Sequence, residues 1–176
     1  MIDITETHAF FYTEWPSNFF RANFKYTSRF NGEEHEFFCS EQAFMYEKAV
    51  CFGDRDTAKE ILTAATPMKA KELGRTVKPF DTDTWEQYRY EVMRDVNLAK
   101  YRQNPDLANR LLDPKFDGRT FVEASPIDGI WGIRMPMGST GIDDEANWRG
   151  RNLLGKAITE VRNILKESND VQQQAE

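Results

Sequence analysis

Cysteine and histidine are scarce: the 176 residues hold two of each. Cys39 and Cys51 fit no zinc-site spacing, and His8 and His35 stand far apart, so neither a metal nor a cofactor is expected. The cysteines read as reduced, buried thiols in a reducing compartment. Long hydrophobic runs are missing too. No apolar stretch approaches the ~20 residues that span a bilayer. The opening MIDITETHAFFY carries acids where a secretory signal has its basic region, so the expected location is cytoplasmic. Positive charge is also short. With 23 Lys and Arg against 29 Asp and Glu, the net charge of −6 argues against a general nucleic-acid binder. It leaves room for a local basic site for phosphate. No internal repeat or interior low-complexity segment is visible.

What is present suits one soluble domain. Hydrophobic residues make up 40% and charged residues 30%. The pattern places this domain over residues 1–167 and a polar, flexible tail over 168–176. Residues 9–40 read as strands, with Asn31-Gly32 as a type I′ hairpin turn between Asn23–Phe30 and Glu33–Phe38. Most aromatic residues of this stretch should be core. Ser40 can cap a helix running to about Val50. Asp54 or Asp56 starts another that ends near Ala65. Thr66-Pro67 opens a third, with Gly74 as its C-cap glycine. A long helix follows from about Asp83 to Gln103, striped by Trp85, Tyr88, Val92, Val96 and Ala99. After a short helix from Pro105 through Leu112, Arg119–Glu123 reads as a strand. Residues 124–148 form a long irregular segment, and a last helix spans about Asn152–Lys166. The expected class is α+β: a predominantly helical single domain with a small antiparallel sheet near the N-terminus.

Four places could carry chemistry. In SEQAFMYEKAV, Glu41 and Lys48 are seven residues apart. Helical geometry puts them within about 20° of one face and roughly 10.5 Å apart along the axis. Glu41 would sit in the first turn, where the helix dipole favours an anion. The plain alternative is a surface pair. In EASPIDGIWGIR, Asp128 and Trp131 follow a strand end in a glycine-flanked loop, suited to binding and protonating a flat heterocycle. The alternative is an Asp turn and a core tryptophan. In WRGRNLLGK, Arg149, Arg151, Asn152 and free backbone N–H groups at a helix start suit phosphate. Gly74-Arg75 makes a weaker phosphate case.

The blocks SEQAFMYEKA, TPMKAKELGR, WEQYRYEVM with NLAKYRQNP, VEASPIDGIWGI and WRGRNLLGKAITEVR occur in this order. Together they resemble the NADAR superfamily, also called YbiA-like, over about residues 9–166. The resemblance implies an N-glycosidase. Some members of the family remove ADP-ribose from guanine in nucleic acid; others split phosphoribosylamino-pyrimidine intermediates of riboflavin synthesis. The family's acid falls on Glu41 and its lysine on Lys48. Its D-x-x-W-G block falls on Asp128, Trp131 and Gly132, its tryptophan before the V-M helix on Trp85, and its G-x-N-x-L-G block on Gly150, Asn152 and Gly155. Two departures stand out. Arg134 replaces the usual glycine of WGIG, and Asp113–Gly118 follows Leu111-Leu112 where a Thr-Gly is common.

The resemblance further implies that Lys48 forms a Schiff base with the anomeric carbon. To attack near neutral pH the amine must lose its proton, which burial beside Phe44 and Met45 favours and Glu41 opposes. Glu41 and Asp128 are the expected acid/base pair. Trp131 and Trp85 would stack on the base, with Gly132 beside them. Arg149, Arg151, Asn152 and Arg75 would hold phosphate. The expected partner is ADP-ribosylated guanine in nucleic acid or a small phosphoribosyl substrate. Two other classes fit parts of the pattern: a non-catalytic reader of ADP-ribose, and an interaction protein using WRGR against an acidic partner.

Overall fold

The computed structural model describes residues 1–174, and its contacts fall into two compact units: residues 1–17 with 105–174, and residues Asn18–Asn104. The architecture is α+β, as expected.

In the Asn18–Asn104 unit, β3 (Phe24–Thr27) pairs antiparallel with β4 (Glu34–Phe37), so Phe24 faces Phe37 and Thr27 faces Glu34. Alternation puts Phe24 and Tyr26 inside and Lys25 and Thr27 outside. The hairpin is where the sequence placed it, but its turn is not type I′. That turn needs positive φ at both central residues, and only Gly32 has it (φ 74°). Instead a wider loop closes with Ser28 N–H donating to Glu33 O at 2.9 Å, and the Ser28 hydroxyl accepts from Phe30 N–H and Asn31 N–H.

Four helices complete this unit: α1 (Ser40–Cys51), α2 (Arg55–Leu62), α3 (Pro67–Gly74) and α4 (Thr82–Gln103). Asp54 and Thr66 cap α2 and α3 through their side chains, accepting from Thr57 N–H and Lys69 N–H. Ser40 does not cap α1. It is the first helical residue, and its hydroxyl donates to Asn97 Oδ1 at 3.1 Å. Gly74 is not a left-handed cap either. Its backbone stays helical, and a Cβ there would overlap the Met45 side chain, so glycine lets α3 close onto α1. The buried stripe of α4 comprises Trp85, Val92, Met93, Val96, Asn97, Lys100 and Tyr101; Tyr88, expected on it, is exposed.

In the other unit, β1 (Asp3–Ile4) pairs antiparallel with β2 (His8–Phe11), and β2 pairs parallel with β5 (Thr120–Glu123). The sheet here is therefore mixed. Parallel pairing needs a long crossover, and over a hundred residues separate its two strands. Helix α5 (Pro105–Leu111) precedes β5, and α6 (Leu153–Gln174) packs on β5. The α6 helix runs through the expected boundary at residue 167 to Gln174, with 168–174 exposed; residues 175–176 of the expected tail lie outside the described residues. Irregular segment 124–148 is anchored by Ile133 and Met135, which join Phe10, Val122 and Ala124 in one apolar cluster. Buried His8 adds a polar anchor: its Nδ1 lies 2.8 Å from Asp143 Oδ1 and its Nε2 3.2 Å from Glu145 Oε1. Of the aromatic stretch, Phe10, Phe11, Phe24 and Tyr26 are buried, Trp15, Phe19, Phe20 and Phe30 are half-buried, and Tyr12 is exposed.

Candidate active site

Lys48 sits in the last turn of α1 and is half-buried. Its Nζ donates to Gly74 O at 2.8 Å and lies 4.5 Å from the centre of the Phe80 ring. The close approach of α3, permitted by the missing Cβ at Gly74, puts that carbonyl within reach. Burial lowers the Lys48 pKa from its ordinary value. Glu41 opposes the shift, while the guanidinium groups of Arg75 and Arg89 reinforce it. Weakened basicity makes a larger share of a lysine available as free amine, the form that can attack carbon.

Glu41 lies in the first turn of the same helix and is only 8% exposed. Its N–H donates to Asn18 O at 3.0 Å. Arg75 follows α3 and is exposed; Arg89, on α4, pairs with Glu86. Glu41, Arg75 and Arg89 thus all act on the charge of Lys48. The sequence reading named Glu41, Lys48 and Arg75 but missed Arg89 and the Gly74 carbonyl. Arg89 carried a signal: it stands one helical turn after Trp85. Trp85 packs with ring centroids 5.3 Å from Phe44 and 6.3 Å from Phe52 and is 5% exposed, so its indole serves mainly as a wall.

A second lysine in this unit shows what distinguishes Lys48. Lys100 is fully buried near the Phe20 and Tyr101 rings, and burial brings its pKa down to about 8. With no exposed surface it cannot meet a substrate, however weak its basicity. Glu47, beside Lys48 in sequence, points elsewhere. It is buried, accepts from Tyr26 O–H at 3.1 Å and Arg29 N–H at 3.2 Å, and burial raises its pKa.

The remaining expected residues lie in the other unit. Asp128 Oδ1 accepts from Ile130 N–H and Trp131 N–H, both at 2.8 Å, while Asp128 N–H donates to Ser125 Oγ at 3.0 Å. This is an Asx turn, and it sets the direction of half-buried Trp131. A Cβ on Gly132 would stand 2.9 Å from Glu123 O, and one on Gly150 would overlap Gly132 O, so both glycines allow backbone to pass against backbone.

The start of α6 does not offer the free N–H groups the sequence suggested. Arg151 N–H donates to Gly129 O at 2.9 Å, Asn152 N–H to Gly132 O at 3.2 Å, Leu153 N–H to Ile130 O at 3.1 Å and Leu154 N–H to Trp131 O at 3.1 Å. Carbonyls of the loop already occupy the place an anion would take. Asn152 is buried at φ 53°; its Oδ1 accepts from Glu123 N–H and its Nδ2 donates to Phe121 O, both at 3.0 Å. Its side chain ties α6 to β5. The Arg149 and Arg151 side chains are exposed. Arg134 takes φ 52°, a left-handed backbone that favours glycine.

The NADAR domain family model matches residues 6–166. The chain is 40% identical over 147 residues to N-glycosidase R617 of Acanthamoeba polyphaga mimivirus, covering 83% of this chain and 84% of that protein. It is 32% identical over 123 residues to riboflavin biosynthesis protein VVA0006 of Vibrio vulnificus, covering 69% of this chain and 30% of that one. Among solved structures, the NMR structure of the E. coli protein YbiA matches with a TM-score of 0.71 at 26% identity, over 96% of this chain and 90% of that chain. The chain belongs to the NADAR family. As an enzyme it is a glycosidase of the hydrolase class. Among the described residues no helix is long and apolar enough to cross a membrane.

Proposed function

We propose that the chain removes ADP-ribose from guanine bases in nucleic acid, through a Schiff base on Lys48. The observation that supports this reading is the setting of Lys48: half-buried, with Nζ held 2.8 Å from Gly74 O and 4.5 Å from the Phe80 ring centre, and with its basicity lowered by burial. In the proposed sequence the ribose ring opens as a proton reaches its ring oxygen, leaving an imine between the anomeric carbon and the base nitrogen. The Lys48 amine attacks that carbon. The base nitrogen takes up a proton and leaves with its bonding pair, and the carbon is then held as an imine to Lys48 Nζ. Water adds, the lysine departs as an amine, and the aldehyde closes back to ribose. One water is consumed and one N-glycosidic bond is lost.

Glu41 is assigned one acid/base role, and Asp128 the other on its motif alone. Arg75 and Arg89 suit the negative charge of a diphosphate or phosphate. Arg149 and Arg151 remain candidates through their side chains, and half-buried Trp131 as a surface for the base, whereas Trp85 is packed away against Phe44 and Phe52.

A second reading is the hydrolysis of a phosphoribosylamino-pyrimidine of riboflavin synthesis. It is favoured by the similarity to a relative named for riboflavin biosynthesis. A mass-spectrometric release assay on both substrates decides between them. Free ADP-ribose from modified guanine supports the first reading; release only from the phosphoribosyl pyrimidine supports the second. Borohydride added during turnover should fix a substrate-derived mass on Lys48. Turnover with no adduct on any lysine would remove the covalent step.

A further inference from the structure

The Asn18–Asn104 unit has a cleft of about 630 Å³, walled by the β3–β4 hairpin, α1 and α2, on the other side of α1 from Lys48. Its size lies within the range of about 300–1,000 Å³ usual for small-molecule sites. Tyr46 lines it from α1. Tyr46 is two residues from Lys48, so the two side chains leave the helix about 200° apart. The contacts agree: Lys48 reaches Gly74 and Phe80, whereas Tyr46 reaches Asn31, Glu33 and the His35 ring.

The walls differ in chemistry. On the hairpin side, the His35 ring stands 5.2 Å from the Tyr46 ring at 68°, and Phe30 adds a third aromatic face. Glu33 Oε2 lies 3.1 Å from His35 Nε2 and accepts from Tyr46 O–H at 3.4 Å. The His35 hydrogen bond, helped by Tyr46 and the charge of Arg55, holds the Glu33 carboxyl below its ordinary pKa. Glu33 is thus an ionised acceptor, held in place by Asn31, whose Oδ1 accepts from Glu33 N–H at 2.9 Å and whose Nδ2 donates to the Tyr46 hydroxyl at 3.2 Å. On the α2 side, Arg55 and Lys59 stand at i and i+4 on one helical face. Both are exposed and line the cleft above Ala58 and Leu62.

We propose that this cleft is a second ligand site, for an amino-substituted heterocycle that carries a phosphate, as in a nucleoside monophosphate. The aromatic wall takes the ring. Glu33 accepts from its N–H groups, which selects an edge with donors over a purely acceptor one. Arg55 and Lys59 take the phosphate at the other end. A simple anion would use only Arg55 and Lys59 and leave the aromatic wall uncovered, and an apolar ring would leave both cations and Glu33 without a partner in the ligand.

The test uses the full chain, ¹⁵N-labelled, titrated with guanosine 5′-monophosphate. Saturable shifts are expected at the amides of Asn31, Gly53 and Arg55. Arg55→Glu with Lys59→Glu, both surface changes, should weaken that binding at least tenfold while the spectrum stays folded. Lys48→Met should change it less than twofold. Guanosine and ribose 5-phosphate should each bind at least tenfold more weakly than the whole nucleotide. The proposal fails if no saturable shift develops at these amides up to about 10 mM. It fails if the double charge reversal leaves affinity unchanged, or if ribose 5-phosphate binds as well as the nucleotide. The inference does not rest on the glycosidase mechanism. Lost turnover in Lys48→Met with intact nucleotide binding separates the two sites, and loss of both in that variant overturns this one.

Discussion

The Lys48 region and the Asp128–Gly155 region both carry the family's blocks, and they use them differently. Around Lys48 the blocks create an electrostatic setting: partial burial, one opposing carboxylate and two reinforcing guanidiniums. Around Asp128 they stitch backbone to backbone: an Asx turn, three glycines (Gly132, Gly150 and Gly155) passed by carbonyls, and an asparagine amide bridging a strand and a helix. A characteristic residue in the first region is mostly one whose charge matters, with Gly74 the exception, where the missing Cβ makes room for Met45. In the second it is one whose size or hydrogen-bond geometry matters.

Substitutions can break this contrast. The largest effect belongs to Lys48→Arg, which keeps a cation but cannot form an imine. Single-turnover release of base should fall by at least about a thousandfold with the melting temperature held. Release at the parental rate would dismiss the covalent role. In the second region, Gly155→Val should instead damage the fold. A Cβ there would overlap Phe121 O and the Asn152 side chain, and overpacking against backbone costs about 3 kcal/mol. A urea midpoint equal to the parent's would refute the packing argument.

Smaller effects sharpen the electrostatic side. The pKa of Lys48 is depressed in the folded chain, so the folded state is penalised at pH values below that folded pKa. The penalty fades as pH rises toward the unfolded value of 10.5. Lys48→Met should therefore raise stability at neutral pH, by an amount that shrinks as the solution becomes alkaline. In the active enzyme, Arg89→Met should move the rising limb of the pH–rate profile upward, and Glu41→Gln should move the same limb downward if the variant retains turnover. Unmoved limbs would show that another group sets the profile. The smallest effect is expected at Arg134, whose left-handed backbone should be relieved by glycine. Arg134→Gly should gain about 1 kcal/mol in urea unfolding, and a loss would mean that the Arg134 side chain contributes more than its strain costs.

The helices were legible in the sequence because their signals are local. Asp54 and Thr66 cap α2 and α3 as their sequence positions imply, and Pro67 opens α3. The structure departs from these local signals where a residue that suits a cap or turn has a different partner. Ser40 reads as a cap, but its hydroxyl goes to Asn97, far along the chain. Gly74 reads as a C-cap, but it is there for contact with Met45. Asn31-Gly32 reads as a two-residue turn, but Ser28 draws the loop wider. In the candidate site, helical periodicity put Glu41 and Lys48 on one face. It could not say that Arg89 would join them, since that depends on how α4 packs in the same unit.

By itself, the sequence determined the family, the order of elements and the helical face that Glu41 and Lys48 share, because ordered blocks and helix periodicity are properties of the chain read end to end. Tertiary structure alone decided which way the basicity of Lys48 shifts and which of two lysines keeps access to solvent. Lys48 and Lys100 both lose basicity through burial, yet only Lys48 keeps exposed surface. Desolvation, neighbouring charge and access are set by residues distant in sequence, and they exist only once the chain has packed.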